Sequence, residues 1–159
     1  MSSLRDYLPD AVPLAEIRRV LVTKLRHHGD VLLASPVFAT LQRAAPHAQI
    51  DALVYAETAP MLEGHPAIAR LLSIDRGWKS QGLRAQLAGE RALMKSLRSA
   101  PYELLIHLTE HPRGLKLARA LAPRYSVTRE RRDGENAWLW RRYFTHFYKL
   151  PRATPRHTV

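Results

Sequence analysis

No cysteine occurs among the 159 residues, so disulfides, thiolate metal sites and a cysteine nucleophile are excluded. That usage agrees with a cytoplasmic protein. Long apolar runs are missing as well: no stretch of about 18 uninterrupted apolar residues offers a membrane span. The first twenty residues carry Asp6, Asp10 and Glu16 and lack an apolar block followed by a small-residue cleavage site, so export is not expected. Neither a G-x-G-x-x-G fingerprint nor a Gly-Lys-Ser/Thr phosphate loop is present. Acids are scarce, 14 Asp and Glu against 25 Lys and Arg, and the formal charge is +11. A field of that size favours anionic partners such as phosphates, nucleic acid or an acidic membrane surface. Most of it resides in the C-terminal third, where residues 113–159 hold twelve basic and three acidic side chains.

The length suits one domain with one proper core. Residues 1–15, with Pro9 and Pro13, read as a loose leader, and the domain is expected over 16–159. Ile17 to Thr23 is short and rich in β-branched residues, as in a strand buried in a parallel sheet. Asp30 to Arg43 then carries apolar residues three and four apart and is expected to be one helix, with Pro36 in its first turns. Strands are expected at 49–55, 70–74, 103–108 and 124–128, and helices at 58–63, 83–98 and 113–121. In the 83–98 helix Leu83, Leu87, Met94 and Leu97 form the apolar stripe, interrupted by Glu90. Alternation of this kind implies a Rossmann-like α/β fold, a parallel sheet with helices on both faces. After a polar stretch, several of Trp138, Trp140, Tyr143, Phe144, Phe147 and Tyr148 lie three or four apart, as on one helix face.

In open parallel sheets ligands bind beyond the carboxyl ends of the strands. The loop after the first strand is Lys24-Leu-Arg-His-His-Gly-Asp. Gly29 there suits a tight or closely approached backbone, and Asp30 falls at the helix start, where backbone N–H groups and the helix dipole favour a carboxylate. On those grounds alone Asp30 is either a plain cap or a functional acid.

The run Val20-Leu-Val-Thr-Lys-Leu-Arg-His-His-Gly-Asp-Val-Leu-Leu-Ala-Ser-Pro resembles the opening of the lipopolysaccharide heptosyltransferase family. The blocks Asp51-Ala-Leu-Val-Tyr and Ile106-His-Leu-Thr-Glu-His-Pro-Arg-Gly are similar to its heptosyltransferase III branch, which adds the side-branch heptose of the inner core. The likeness runs from about Arg18 to the last residue. It implies a GT-B glycosyltransferase in which an N-terminal Rossmann-like domain holds the lipopolysaccharide inner-core acceptor and a C-terminal one holds ADP-heptose. It also implies inverting transfer without a required metal or other cofactor, with Asp30 as the general base that takes the proton of the attacking hydroxyl. Lys24 matches a family lysine that binds an acceptor anion or the leaving diphosphate; a solvated strand-end lysine is the plainer reading.

The substrate-binding candidates are Lys24, Arg26, His27, His28 and Gly29 in the first loop and Thr109, Glu110, His111 and Arg113 after the fourth strand. Arg113 suits a carboxylate or phosphate of the acceptor. Glu110 is either a second carboxylate in the cleft or an exposed loop acid. His27 and His28 are acceptor-facing or mere spacers. His107 and His111 span strand and loop, and lack the pattern of a helical metal pair. The aromatic segment is core or interdomain packing; interleaved with Arg131, Arg132, Arg141, Arg142 and Lys149, it is alternatively a peripheral contact with the anionic inner membrane. Since the family needs about twice this length, the chain is expected to be an acceptor-side half, short of a donor domain and inactive alone. A non-catalytic α/β domain binding an anionic small molecule or glycolipid is the rival reading. A specific nucleic-acid module is not expected, for no zinc finger, RNA-recognition or helix-turn-helix signature occurs.

Overall fold

The computed structural model describes residues 12–99, 101–130 and 137–149. Its frame is a six-stranded, wholly parallel sheet: β1 (Arg19–Thr23), β2 (Gln49–Tyr55), β3 (Arg70–Ile74), β4 (Leu104–His107), β5 (Tyr125–Arg129) and β6 (His146–Tyr148), in the order β3-β2-β1-β4-β5-β6. The Rossmann-like architecture expected from the sequence is present. β1 is central and buried on both faces, which explains its unbroken Val-Leu-Val. Val20 and Val22 join one core with Phe38, Leu41, Ile50 and Leu104. Leu21 points the other way, into a second core with Leu53, Leu93, Leu97, Leu105 and Leu117.

On the first face lie α1 (His28–Leu32), α2 (Ser35–Ala44) and a 3-10 turn over Ala56–Met61; on the second lie α3 (Leu83–Leu97), α4 (Arg113–Leu121) and α5 (Ala137–Tyr143). Four expectations need correction. The single helix from Asp30 to Arg43 is two. Pro36 lacks an N–H and its ring would meet the carbonyl four residues back, that of Leu32, where α1 ends. The short helix expected at 58–63 is the 3-10 turn, with Pro60 inside it. The aromatic segment is not one helix face, because α5 stops at Tyr143 and Phe147 and Tyr148 belong to β6, paired to β5. The stripe on α3 is also different. Leu93 and Leu97 are buried, but Leu83 is 78% and Leu87 55% exposed. At that level the inward positions belong to Gly89, against which Trp78 packs, and Glu90, which turns to Arg113.

At the amino ends of the strands a polar knot joins β1, β2 and β3. Asp51 is wholly buried. Its Oδ2 accepts from Arg19 Nη2 at 3.0 Å, Arg70 Nε at 3.0 Å and the Tyr102 hydroxyl at 2.6 Å. Burial alone would raise the Asp51 pKa, but the bonds from Tyr102, Arg70 and Arg19 outweigh it and hold the carboxyl below its ordinary value. Tyr102 is pushed up to about 12 by its burial and by Asp51. Val12 and Leu14 already pack against the first core. Residues 1–11 and 150–159, and with them most of the leader and the chain end, lie outside the described residues, as do Arg131 and Arg132.

Candidate active site

β1 and β4 are neighbours, yet the chain leaves β1 towards β2 and β3 and leaves β4 towards β5 and β6. Their carboxyl ends therefore form the topological switch point, where the loops part to opposite faces and leave a crevice. Those two loops are cross-braced. Leu108 N–H donates to Thr23 O at 2.9 Å, Leu25 N–H to Thr109 Oγ1 at 3.0 Å and Lys24 Nζ to Leu108 O at 3.2 Å.

Beneath the brace lies His107. Its Nδ1 is 2.5 Å from Thr23 Oγ1 and its Nε2 3.2 Å from His111 O. A carbonyl can only accept, so Nε2 carries the hydrogen and Thr23 donates to Nδ1. The ring stacks on Trp140 and sits beside Gly114, where a Cβ would overlap it. Burial lowers the His107 pKa to about 4, so a neutral imidazole is the stable form. His107 is thus a satisfied core histidine.

Asp30 is the third residue of α1, within its first turn but not its cap; that position is His27, which makes no side-chain cap bond. The carboxylate lies 3.8 Å from Lys24 Nζ, with the two side chains 24% and 18% exposed. Burial holds the Lys24 ammonium below its ordinary value, while Asp30 opposes that shift and Arg26 adds to it. A partly exposed pair at that separation contributes at most about 1 kcal/mol to stability. Its consequence is orientation: Lys24 is tethered to Leu108 on one side and reaches Asp30 on the other. Leu32 and Leu33 stand exposed just beyond, at 54% and 64%.

The cleft beyond the strand ends comprises two cavities of about 520 and 350 Å³ that share Tyr55, Arg76 and His111. Arg113 and Glu90 line the larger and are ion-paired across it. Arg76 lies over the Tyr55 ring, 5.1 Å from its centre, and pairs with Glu57 at 3.2 Å. The smaller cavity is lined by Arg26, His27, Thr109, Glu110 and His111. Glu110 is not a bare acid there, since Arg129 Nη1 approaches it to 2.9 Å.

Of the residues expected from sequence, Arg26, His27, Thr109, Glu110, His111 and Arg113 meet at the cleft, whereas Lys24 and Asp30 pair with each other after β1 and line neither cavity. His28 and Gly29 are exposed on α1 and line neither cavity. Gly29 has no positive φ, and a Cβ there would stand in open space, so no turn or close approach within the chain demands glycine. Sequence reading missed Tyr55, Arg76, Trp78 and Glu90. Tyr55 and Arg76 were within reach of the strand-end rule applied to β2 and β3, and the signal for Glu90 was the acid inside an apolar stripe. In the aromatic segment, Trp140 and Phe144 are buried and stacked, while Trp138 is 67% exposed.

No protein-family model matches the chain. It is 35% identical over 125 residues to lipopolysaccharide heptosyltransferase 3 of Escherichia coli strain K12, an alignment covering 77% of this chain and 35% of that protein. It is 32% identical over 90 residues to lipopolysaccharide heptosyltransferase 1 of Pseudomonas aeruginosa, covering 55% of this chain and 25% of the relative. Among solved structures, the glycosyl transferase family 9 protein from Veillonella parvula superposes with a TM-score of 0.72 at 25% identity, over 91% of this chain and 38% of that one. The E. coli heptosyltransferase WaaC with ADP-2-deoxy-2-fluoro heptose gives 0.65 at 20% identity, over 86% and 44%. The aligned part of the chain thus spans between a quarter and 44% of the length of each.

Proposed function

We propose, for a chain that is a relative of the lipopolysaccharide heptosyltransferases over the residues it spans, that its cleft holds the acceptor in an inverting transfer of heptose from ADP-heptose to the inner core of lipopolysaccharide. The observation that carries this reading is the Asp30 carboxylate, oriented by Lys24 at the switch point and joined in sequence to Arg26 and His27, which line the cleft. The acceptor's core sugars and lipid A are strongly anionic; Arg26 answers that charge, and Arg113 and Arg76 do so by exchanging Glu90 and Glu57 for acceptor anions.

In this reading the acceptor hydroxyl attacks the anomeric carbon of the donor from the face opposite the diphosphate. Its oxygen forms the new glycosidic bond, its proton passes to Asp30, and the carbon–oxygen bond to ADP breaks with both electrons leaving on the diphosphate. Carboxylates are weak bases towards alcohols in the ground state. The transfer therefore occurs late, when the attacking oxygen has become acidic by bonding to carbon. No metal enters the scheme. ADP-heptose is held by residues outside this cleft, and the site of action is the cytoplasmic side of the membrane that carries the acceptor. Among the described residues no helix is long and apolar enough to cross a membrane.

Calorimetry tests the reading with a heptose-containing inner-core acceptor, with ADP-heptose, and with an unrelated polyanion of equal charge. Saturable acceptor binding that exceeds the polyanion's at raised salt, and that Asp30→Asn leaves within about twofold, is expected. Binding no better than the polyanion's, or ADP-heptose seated in the cleft, would overturn it.

A further inference from the structure

The amino-terminal half of α3 presents an apolar surface that the fold does not cover. Leu83 and Leu87 are 78% and 55% exposed, one helical turn apart on the same face. Arg91 continues that row a turn later, and Arg84, Ala88 and Lys95 lie alongside, all exposed. The one acid of α3, Glu90, is turned away into the cleft and neutralised by Arg113. The outward face of the helix is therefore apolar and cationic and carries no acid. Leu83 stands at the end of α3 that follows β3, so the patch adjoins the same edge of the sheet as the cleft, whose lining includes Trp78, Gln86 and Glu90.

We infer that this face of α3 rests on an anionic lipid bilayer, with Leu83 and Leu87 entering the headgroup boundary and Arg84, Arg91 and Lys95 pairing with lipid phosphates. Exposed leucines flanked by cations fit an interfacial helix, whose binding sums buried apolar area and attraction to anionic lipid. A water-soluble polyanion would use the cations and leave the leucines unaccounted for. A second copy of this chain would bring like charges together across the patch. The aromatic segment near the chain end is a weaker candidate, because Trp140 and Phe144 are committed to the core. The inference rests on the proposed function only in expecting a lipid-anchored acceptor nearby, and its test uses no acceptor, so the two fail separately.

Since the chain has no cysteine, Leu87→Cys accepts a single environment-sensitive fluorophore. Mixed with phosphatidylcholine vesicles containing phosphatidylglycerol, the label is expected to shift to the blue, and with pure phosphatidylcholine it is not. The unlabelled Leu83→Ser/Leu87→Ser variant, with its circular dichroism and melting unchanged, is expected to bind the anionic vesicles about tenfold more weakly. Arg84→Ala/Arg91→Ala is expected to weaken binding and flatten its salt dependence. Wild-type vesicle affinity in the double serine variant would overturn the inference, leaving adsorption by general positive charge. So would a label that shifts equally without lipid as concentration rises, with a dimer seen by sedimentation, which would assign the patch to a second copy.

Discussion

The two ends of the sheet use the same residue types to opposite ends. At the amino ends, Asp51 is sealed from water and accepts from two arginines and a tyrosine. At the carboxyl ends, Asp30 keeps a quarter of its surface and one distant lysine. Burial puts the first carboxylate out of a ligand's reach; the second keeps part of its surface and nearly all its bonding capacity. Buried and satisfied charge fixes strand positions, whereas a charge left a quarter exposed at the strand ends stays within reach of a ligand.

The sharpest way to break that contrast is to neutralise each acid. Asp51→Asn is expected to cost about 3–5 kcal/mol of stability, because it leaves two arginines around an uncharged group, whereas Asp30→Asn should stay within about 0.5 kcal/mol. Urea unfolding of both variants checks it, and equal losses would erase the distinction. The Asp51 pKa is lowered in the folded state, so its contribution is fully present above the ordinary carboxylate range and is lost as pH falls below that range through the lowered folded value.

Next in size is His107, the last residue of β4, under the brace at the carboxyl ends. Its pKa falls from 6.5 to about 4 on folding, so the unfolded chain binds the extra proton between those values. Stability from this group is therefore full above about pH 6.5 and declines as pH drops towards 4, by an amount on the order of 3 kcal/mol. His107→Gln should flatten that part of the stability profile. Smaller still, Gly114→Ala places a methyl group against the imidazole and should cost about 1–3 kcal/mol, read as a lower melting temperature. Least of all, Glu90→Gln should change stability by under about 1 kcal/mol, since the pair with Arg113 is partly exposed. It should nevertheless tighten phosphate binding in the cleft by freeing Arg113, and unchanged phosphate affinity would show that Arg113 is not a ligand group.

How legible these two ends were differs for physical reasons. The strands declare themselves through continuous apolar, β-branched runs, and β2 and β3 fall where the sequence placed them. Lys24, Asp30 and Arg113 were legible because they follow strand ends, where topology converges. The break between α1 and α2 was written in Pro36 but masked by apolar spacing that continues across it. Leu83 and Leu87 fit a core stripe by period alone; what displaced them was Trp78, brought from another element onto Gly89. The polar knot was illegible because its members, Arg19, Asp51, Arg70 and Tyr102, are far apart in sequence and meet only through sheet order.

That sheet order also sets a timetable for synthesis. Val20 of β1 pairs with Leu104, 84 residues later, and Tyr102 completes the bonds to Asp51 just before β4 begins. At about 5–20 residues per second, the middle strand waits roughly 4–17 s after emerging before one of its neighbours exists. Non-local parallel pairing of this kind is slow to form. The nascent chain therefore carries an open β1 edge and an incompletely bonded Asp51 until β4 emerges, a window in which a chaperone that covers apolar strands would raise the yield of folded protein.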